Sequence, residues 1–222
     1  QLQWQDKQRP GPWRLALAQP LALQLTPGAQ GALQLQAQAG SAQLQGPLPG
    51  QALLQWQALQ WQQRPGQAPQ LRSSGQLTGL PLAWLNAIDQ AQPPLLERLG
   101  LGGDVQLAAD WDIHAAEQLQ ARLRLQRSSG ELRLLALASG GATTVHSSGS
   151  GKAQADKPLG APAGLRQAKI ELALQGQNLR STLRWSSQRA GELQAQAQTT
   201  LAWPGNDWRQ AQWPASAPLA AQ

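Results

Sequence analysis

The sequence predicts an all-β chain with one short helix, its strands laid out as a long antiparallel meander. Three observations predict it. Apolar residues recur at every second position through most of the chain, clusters of Gly, Pro, Ser and Asn cut those runs to strand length, and a single segment near Pro81 carries apolar residues four apart. Composition pulls the other way: Leu, Ala and Gln dominate, while Ile and Val are scarce and Phe and Tyr are absent. On a helix, however, Leu193, Ala195, Ala197 and Leu201 fall at 100° steps and leave no apolar stripe. On a strand the same letters make one greasy face and one hydrated face, so period two outweighs propensity.

Taken in order, Trp13 to Leu25 reads as a strand broken by Pro20, an edge or bulge position. Leu33, Leu35, Ala37 and Ala39 make a second strand ended by Gly40, and a short one lies around Leu44 before the GPLPG turn at 46–50. Ala52, Leu54, Trp56 and Ala58 alternate, with a switch of face toward Leu59 and Trp61, and Leu71 to Leu77 is a further strand. The helix is predicted from Pro81 to about Ala91. Pro81 suits a first-turn position, Leu80, Trp84 and Ile88 share a face, Pro93 and Pro94 stop it, and Leu95 to Leu99 add a turn. It is expected to plug one side or end of the sheet.

GLGGD at 100–104 reads as a glycine turn. Val105, Leu107, Ala109, Trp111 and Ile113 then alternate strictly, and Leu119, Ala121, Leu123 and Leu125 return. Leu132 and Leu134 begin another strand. Residues 139–164 are low in complexity and rich in turn residues, and read as a mobile loop. From Gly164 to Trp203 come three strands, on Ala168, Ile170, Leu172 and Leu174, on Leu179, Leu183 and Trp185, and on Leu193, Ala195, Ala197 and Leu201, with turns at QGQN and SSQRAG. Residues 1–222 thus read as one continuous β-rich segment with a helical insert at 81–99.

The chain opens without methionine and has no signal peptide or bilayer-length apolar run, and it is expected to be an internal portion of a longer protein. There is no cysteine, hence no disulfide framework or thiolate metal site. The net charge of +6 comes from dispersed Lys and Arg, and Arg122, Arg124, Arg180 and Arg184 alternate with apolar residues as an outer face does. Nucleic acid is not an expected partner.

Catalytic and metal candidates fail in turn. Asp110, Asp112 and His114 share the polar face of one strand, but alternate residues there are about 6.6 Å apart and do not converge on one ion. His146 has no ligand set around it. GSGK at 149–152 lacks the upstream glycine and the Ser or Thr of a phosphate loop, and GLGG leads into a strand. No G-x-S-x-G elbow occurs. No enzyme activity, cofactor or metal is expected.

What remains is a large apolar surface with little to cover it. Such a sheet either packs face to face as a sandwich or curls into a trough whose greasy lining serves apolar ligands. A lining of Leu and Ala with interspersed Trp favours the trough. The residues expected to line it are Val105, Leu107, Trp111, Ile113, Leu123, Leu125, Ile170, Leu172, Leu174, Leu183, Trp185, Leu193 and Leu201. A protein-binding scaffold, whose open edges accept an added strand, is the alternative.

Several segments in order, PWRLALAQPLAL, LQGPLPGQALLQW, LRSSGQLTGLPLAWLNAI, LGLGGDVQLAADWDI, LQARLRLQRSSGELRLL and LRWSSQRAGELQAQAQTTLAW with WPASAPLA, resemble the TamB subunits of the bacterial translocation and assembly module, within the AsmA-like group. The resemblance implies a periplasmic portion of an inner-membrane-anchored protein of a Gram-negative bacterium. It also implies a long β structure with a taco-like hydrophobic groove. Such a groove would carry phospholipid between the two membranes and support outer-membrane protein assembly with an Omp85-family partner. The anchor and the partner-binding region would lie outside this chain.

Overall fold

The computed structural model of the protein describes residues 2–4, 13–87, 92–135 and 160–203. Period-two alternation becomes strand nearly everywhere it occurs. The first half holds β1 (Leu2–Trp4), β2 (Trp13–Leu17), β3 (Leu23–Pro27), β4 (Leu33–Ala37), β5 (Gly40–Gln45), β6 (Ala52–Trp56), β7 (Leu59–Gln63) and β8 (Gln70–Pro81). A 3-10 helix (Leu82–Ala87), α1 (Leu95–Arg98) and β9 (Leu101–Gly103) come next. The second half holds β10 (Gln106–Ala115), β11 (Leu119–Ser129), β12 (Leu132–Leu134), β13 (Ala161–Pro162), β14 (Leu165–Gln175), β15 (Asn178–Ser187) and β16 (Glu192–Thr200).

Thirteen strands form one antiparallel sheet whose main path is β1-β2-β5-β6-β8-β10-β11-β14-β15-β16. β1 and β16 do not pair with each other, so the sheet is not a closed barrel. β3, β4 and β7 form a side branch, because β8 pairs with β7 through Gln70 to Arg72 and with β6 through Gly75 to Thr78. A crease separates the branches, at residues 18–22, 38–39 and 57–58. Ala18 N–H donates to Ser41 O at 2.9 Å, Gln38 N–H to Ala22 O at 3.2 Å and Gln57 N–H to Ser74 O at 2.9 Å, holding the strands together across it.

The crease also redirects side chains. Trp56 lies opposite Gly75 and Trp61 opposite Leu71, and Gly75 and Leu71 alternate on the same face of β8. Two residues, Gln57 and Ala58, therefore reset the alternation and keep both tryptophans on one face. The expected strand from Leu33 to Ala39 is likewise split, and Gly40 starts β5 instead of ending its predecessor. A Cβ at Gly40 would lie 2.6 Å from the Trp56 ring, so glycine is needed for the indole to lie flat across the neighbouring strand.

The predicted helix is corrected in part. Pro81 ends β8 and is not a first-turn residue, because Gln106 pairs with it and Leu82 N–H donates to Val105 O at 2.9 Å, extending the ladder. The six residues after it form the 3-10 helix in place of an α-helix, and Ile88 lies outside the described residues. The turn at Leu95 is present as α1, whose Leu96 N–H donates to Asn86 Oδ1 at 2.9 Å. GLGG is corrected too: its residues enter β9, paired with β12. Of the loop at 139–164, residues up to 159 lie outside the described residues, whereas Ala161–Pro162 form β13 and Ala163 is fully buried.

β9, β12 and β13 form a three-stranded sheet. With the 3-10 helix and α1 it makes a plug at one end of the long strands, where β2, β6, β10, β14 and β16 begin. Val105, Leu132, Ala163 and Leu165 are its core, with Leu82, Leu101, Leu107, Leu134, Ala168 and Trp185 packed around them. Carboxylates pin it: Asp104 Oδ1 accepts from Glu131 N–H at 2.8 Å, and Glu131 Oε1 accepts from Gly164 and Leu165 N–H at 2.9 and 3.2 Å. Nearby, Trp84 is 3% exposed, meets Trp13 edge to face at 5.2 Å and donates from Nε1 to Leu48 O at 3.1 Å.

Candidate ligand-binding face

Paired residues of an antiparallel sheet share a face, so the register shows which side chains are level with one another. One register row is apolar on every strand it crosses: Leu17, Ala42, Leu54, Leu77, Ala109, Leu125, Ile170, Leu183 and Ala195. These nine residues lie on nine consecutive strands of the main path, which at about 4.8 Å per strand is a track of about 38 Å. The next row, away from the plug, is Gly40, Trp56, Gly75, Trp111, Leu123, Leu172, Ser181 and Ala197. Glycines alternate with indoles in it. A Cβ at Gly75 would lie 2.4 Å from the Trp111 ring, and Trp111 Nε1 donates to Ser73 Oγ at 3.1 Å, so this indole has both its space and its hydrogen bond.

Cover is absent over much of this face. Leu123 and Ile170 are each 40% exposed although they lie near the middle of β11 and β14, and Leu193, at the start of the edge strand β16, is 53% exposed. Of the expected lining residues, Trp111, Ile113, Leu125, Leu172, Leu174 and Leu183 share the face and are half-buried. Leu201 comes directly after β16, its N–H donating to Gln177 O at 2.8 Å. Leu107 and Trp185 border the plug core. Val105 is placed differently: at 3% exposure it is part of that core, not of the open face.

The opposite face is polar and internally paired. Gln55, Gln76, Asp110, Arg124, Glu171 and Thr182 stand in one register row. Gln76 Nε2 donates to Gln55 Oε1, Arg124 Nε donates to Glu171 Oε1 at 3.1 Å, and Arg124 Nη1 lies 3.7 Å from Asp110 Oδ1. Lys169 Nζ is 3.0 Å from Glu171 Oε1. Its hydrogen bond, and next that of Arg124, holds the Glu171 carboxyl below the usual glutamate range. These pairs are screened by solvent and contribute little to stability.

The D-W-D-I-H residues take part in this solvated lattice. Asp110 and Asp112 lie opposite Arg124 and Arg122, and His114 opposite Arg72 and Gln120. Among the described residues no group of three His, Asp or Glu is placed to hold a metal ion. A cleft of about 690 Å³ is lined by residues of both rows, Gln55, Gln76 and Asp110 of the polar one and Gly40, Trp56, Gly75 and Trp111 of the apolar one. His146 and the GSGK segment lie outside the described residues.

Sequence periodicity locates the strands of the apolar face but misses its continuity. Leu17, Ala42, Leu54, Leu77, Ala109 and Ala195 are as much part of the long row as Leu125 and Ile170, yet only the cross-strand register aligns them. No family model, curated protein or solved structure matches the chain. Among the described residues no helix is long and apolar enough to cross a membrane.

Proposed function

We propose that this chain is a hydrophobic-groove segment that conducts phospholipid acyl chains, with its polar face toward water. The observation that carries the proposal is the continuous apolar row across nine strands, about 38 Å long, half-buried along most of its length, exposed at Ile170 and closed at Ala42. An acyl chain laid along it is solvated continuously, at about 25 cal/mol for each Å² of apolar surface removed from water. Because Leu and Ala recur at every step, no position holds the chain much better than the next, and movement is passive sliding without a catalytic residue. In this proposal the sheet curls into a taco-like trough with a hydrophobic interior.

The resemblance to TamB subunits supplies the setting. The trough belongs to a periplasmic, inner-membrane-anchored protein of a Gram-negative bacterium. It carries phospholipid between inner and outer membranes and supports outer-membrane protein assembly through an Omp85-family partner. Photocrosslinkers at Leu123 or Leu172 are expected to capture phospholipid, and those at Arg122 or Glu171 are not. Equal capture from both faces refutes the proposal.

A second reading, a scaffold that templates outer-membrane strands, has one observation in its favour. Among the described residues β16 pairs only with β15, and its nine residues contain one charge, Glu192, and no proline, so its outer edge lacks the usual defences against strand addition. Crosslinks from Gln194 and Gln196 to protein, with none from Leu123 to lipid, favour that reading.

A further inference from the structure

The apolar face carries one charged side chain among the described strand residues. Arg127 alternates in phase with Leu123 and Leu125 and pairs with Leu107, so the register puts it on the greasy side. It stands one step beyond the Gln126–Lys169 pair, level with Ala168 and Trp185 on the next two strands, where the plug core gives way to open sheet. Its Nε and Nη2 both donate to Gly130 O, Nε at 3.0 Å, which clamps the turn after β11 and fixes the guanidinium at this seam. A guanidinium has five N–H donors, and three are left over. No carboxylate among the described residues lies within ion-pair distance of it, whereas Arg124 on the polar face has two.

A half-buried, fixed cation at the head of an apolar track that is open at Ile170 matches an amphiphile with an anionic head. We infer that Arg127 is a headgroup site, binding the phosphate of a single-chain or double-chain lipid whose acyl part runs from the seam onto Leu125 and Ile170. Arginine suits this role because its planar fork pairs with phosphate oxygens through two parallel hydrogen bonds. The inference rests on the acyl-chain reading and adds selection by charge: the track is indifferent to the headgroup, and Arg127 is not.

The test measures binding of three probes to the full chain: oleoyl lysophosphatidic acid, monoolein with the same acyl chain and no charge, and inorganic phosphate. The unaltered protein is expected to bind the phosphate lipid about tenfold more tightly than monoolein, the size of effect expected for charge-assisted hydrogen bonds. Arg127→Gln removes that preference and leaves monoolein binding unchanged, which also reports that the variant folds. Arg127→Lys, which keeps the charge and gives up the fork, retains most of the preference. Arg122→Gln, the same charge change on the polar face, leaves it intact. If monoolein does not bind, the acyl-chain reading fails. If monoolein binds and the tenfold preference is absent, survives Arg127→Gln or disappears in Arg127→Lys, the headgroup site fails and the acyl-chain reading stands. Inorganic phosphate binding as tightly as the phosphate lipid overturns the amphiphile and leaves a simple anion site.

Discussion

The plugged end and the open face use the same amino acids for opposite ends. At the plug, Val105, Leu132, Ala163 and Leu165 are buried to 5% exposure or less. Further along the sheet, Leu123, Ile170 and Leu193 keep 40% or more of their surface in water. The strands between are continuous, with register shifts at Gln106/Leu107 and Leu165/Gln167 where the plug meets the sheet. Cover differs: a three-stranded sheet and two short helices sit over one end, whereas Leu123 and Ile170 on the central strands are left 40% exposed. Burial at the plug goes into stability, and exposure elsewhere leaves apolar surface free for a ligand.

Substitutions separate the two regions. The largest effect is expected at the covered end: Trp84→Ala removes a buried indole with its edge-to-face partner Trp13 and its hydrogen bond to Leu48 O, and should cost about 3–5 kcal/mol in a denaturant titration. Next comes Gly75→Ala at the crease. Its Cβ would lie 2.4 Å from both Gln55 O and the Trp111 ring, so about 1–3 kcal/mol should be lost and the Trp111 emission should shift as the indole is displaced. On the open face Ile170→Ala should change stability by about 1 kcal/mol or less, because the side chain is already partly in water, while weakening the binding of a long-chain amphiphile. An Ile170 effect as large as that of Trp84 would mean that the open face is covered after all.

The smallest effect concerns the polar lattice. Lys169 and then Arg124 lower the pKa of Glu171 in the folded protein relative to the unfolded chain. The resulting stabilisation is present above the unfolded value, about 4.3, and is lost as pH falls through the lower folded value. Glu171→Gln should therefore flatten the acid limb of a stability–pH profile slightly and leave neutral-pH amphiphile binding untouched, since the residue faces away from the apolar row.

Much of this arrangement is legible in the letters, for a physical reason. A strand with one wet face must alternate, and β10, β11, β14, β15 and β16 do so along most of their length, with register shifts only near the plug end. The hairpin at Gly176 is equally visible, since its φ of 56° is a glycine conformation and the flanking Gln175 and Asn178 mark the turn. Tertiary effects are less visible. Val105 continues the alternation of Leu107 and Ala109, and only the plug packed over it sets it apart. β9 and β13 are short and rich in Gly, Ala and Pro, and so carry no period. Four-residue spacing around Trp84 is the period of an α-helix, and it misleads because Leu80 belongs to β8 and the turn at Leu82–Ala87 is 3-10. Arg127 reads as one more dispersed basic residue until the register places it opposite Leu107.

The most direct test of an open, ligand-accessible apolar face uses the absence of cysteine from the chain. Single cysteines replace Leu123, Ile170 or Leu193 on the open face and Val105 or Leu132 in the plug, and their reaction with a maleimide is timed with and without monoolein. Open-face cysteines are expected to react at least tenfold faster than plug cysteines and to be protected when monoolein is added. Equal rates in the two regions, or open-face cysteines that monoolein fails to protect, would contradict a groove open to acyl chains.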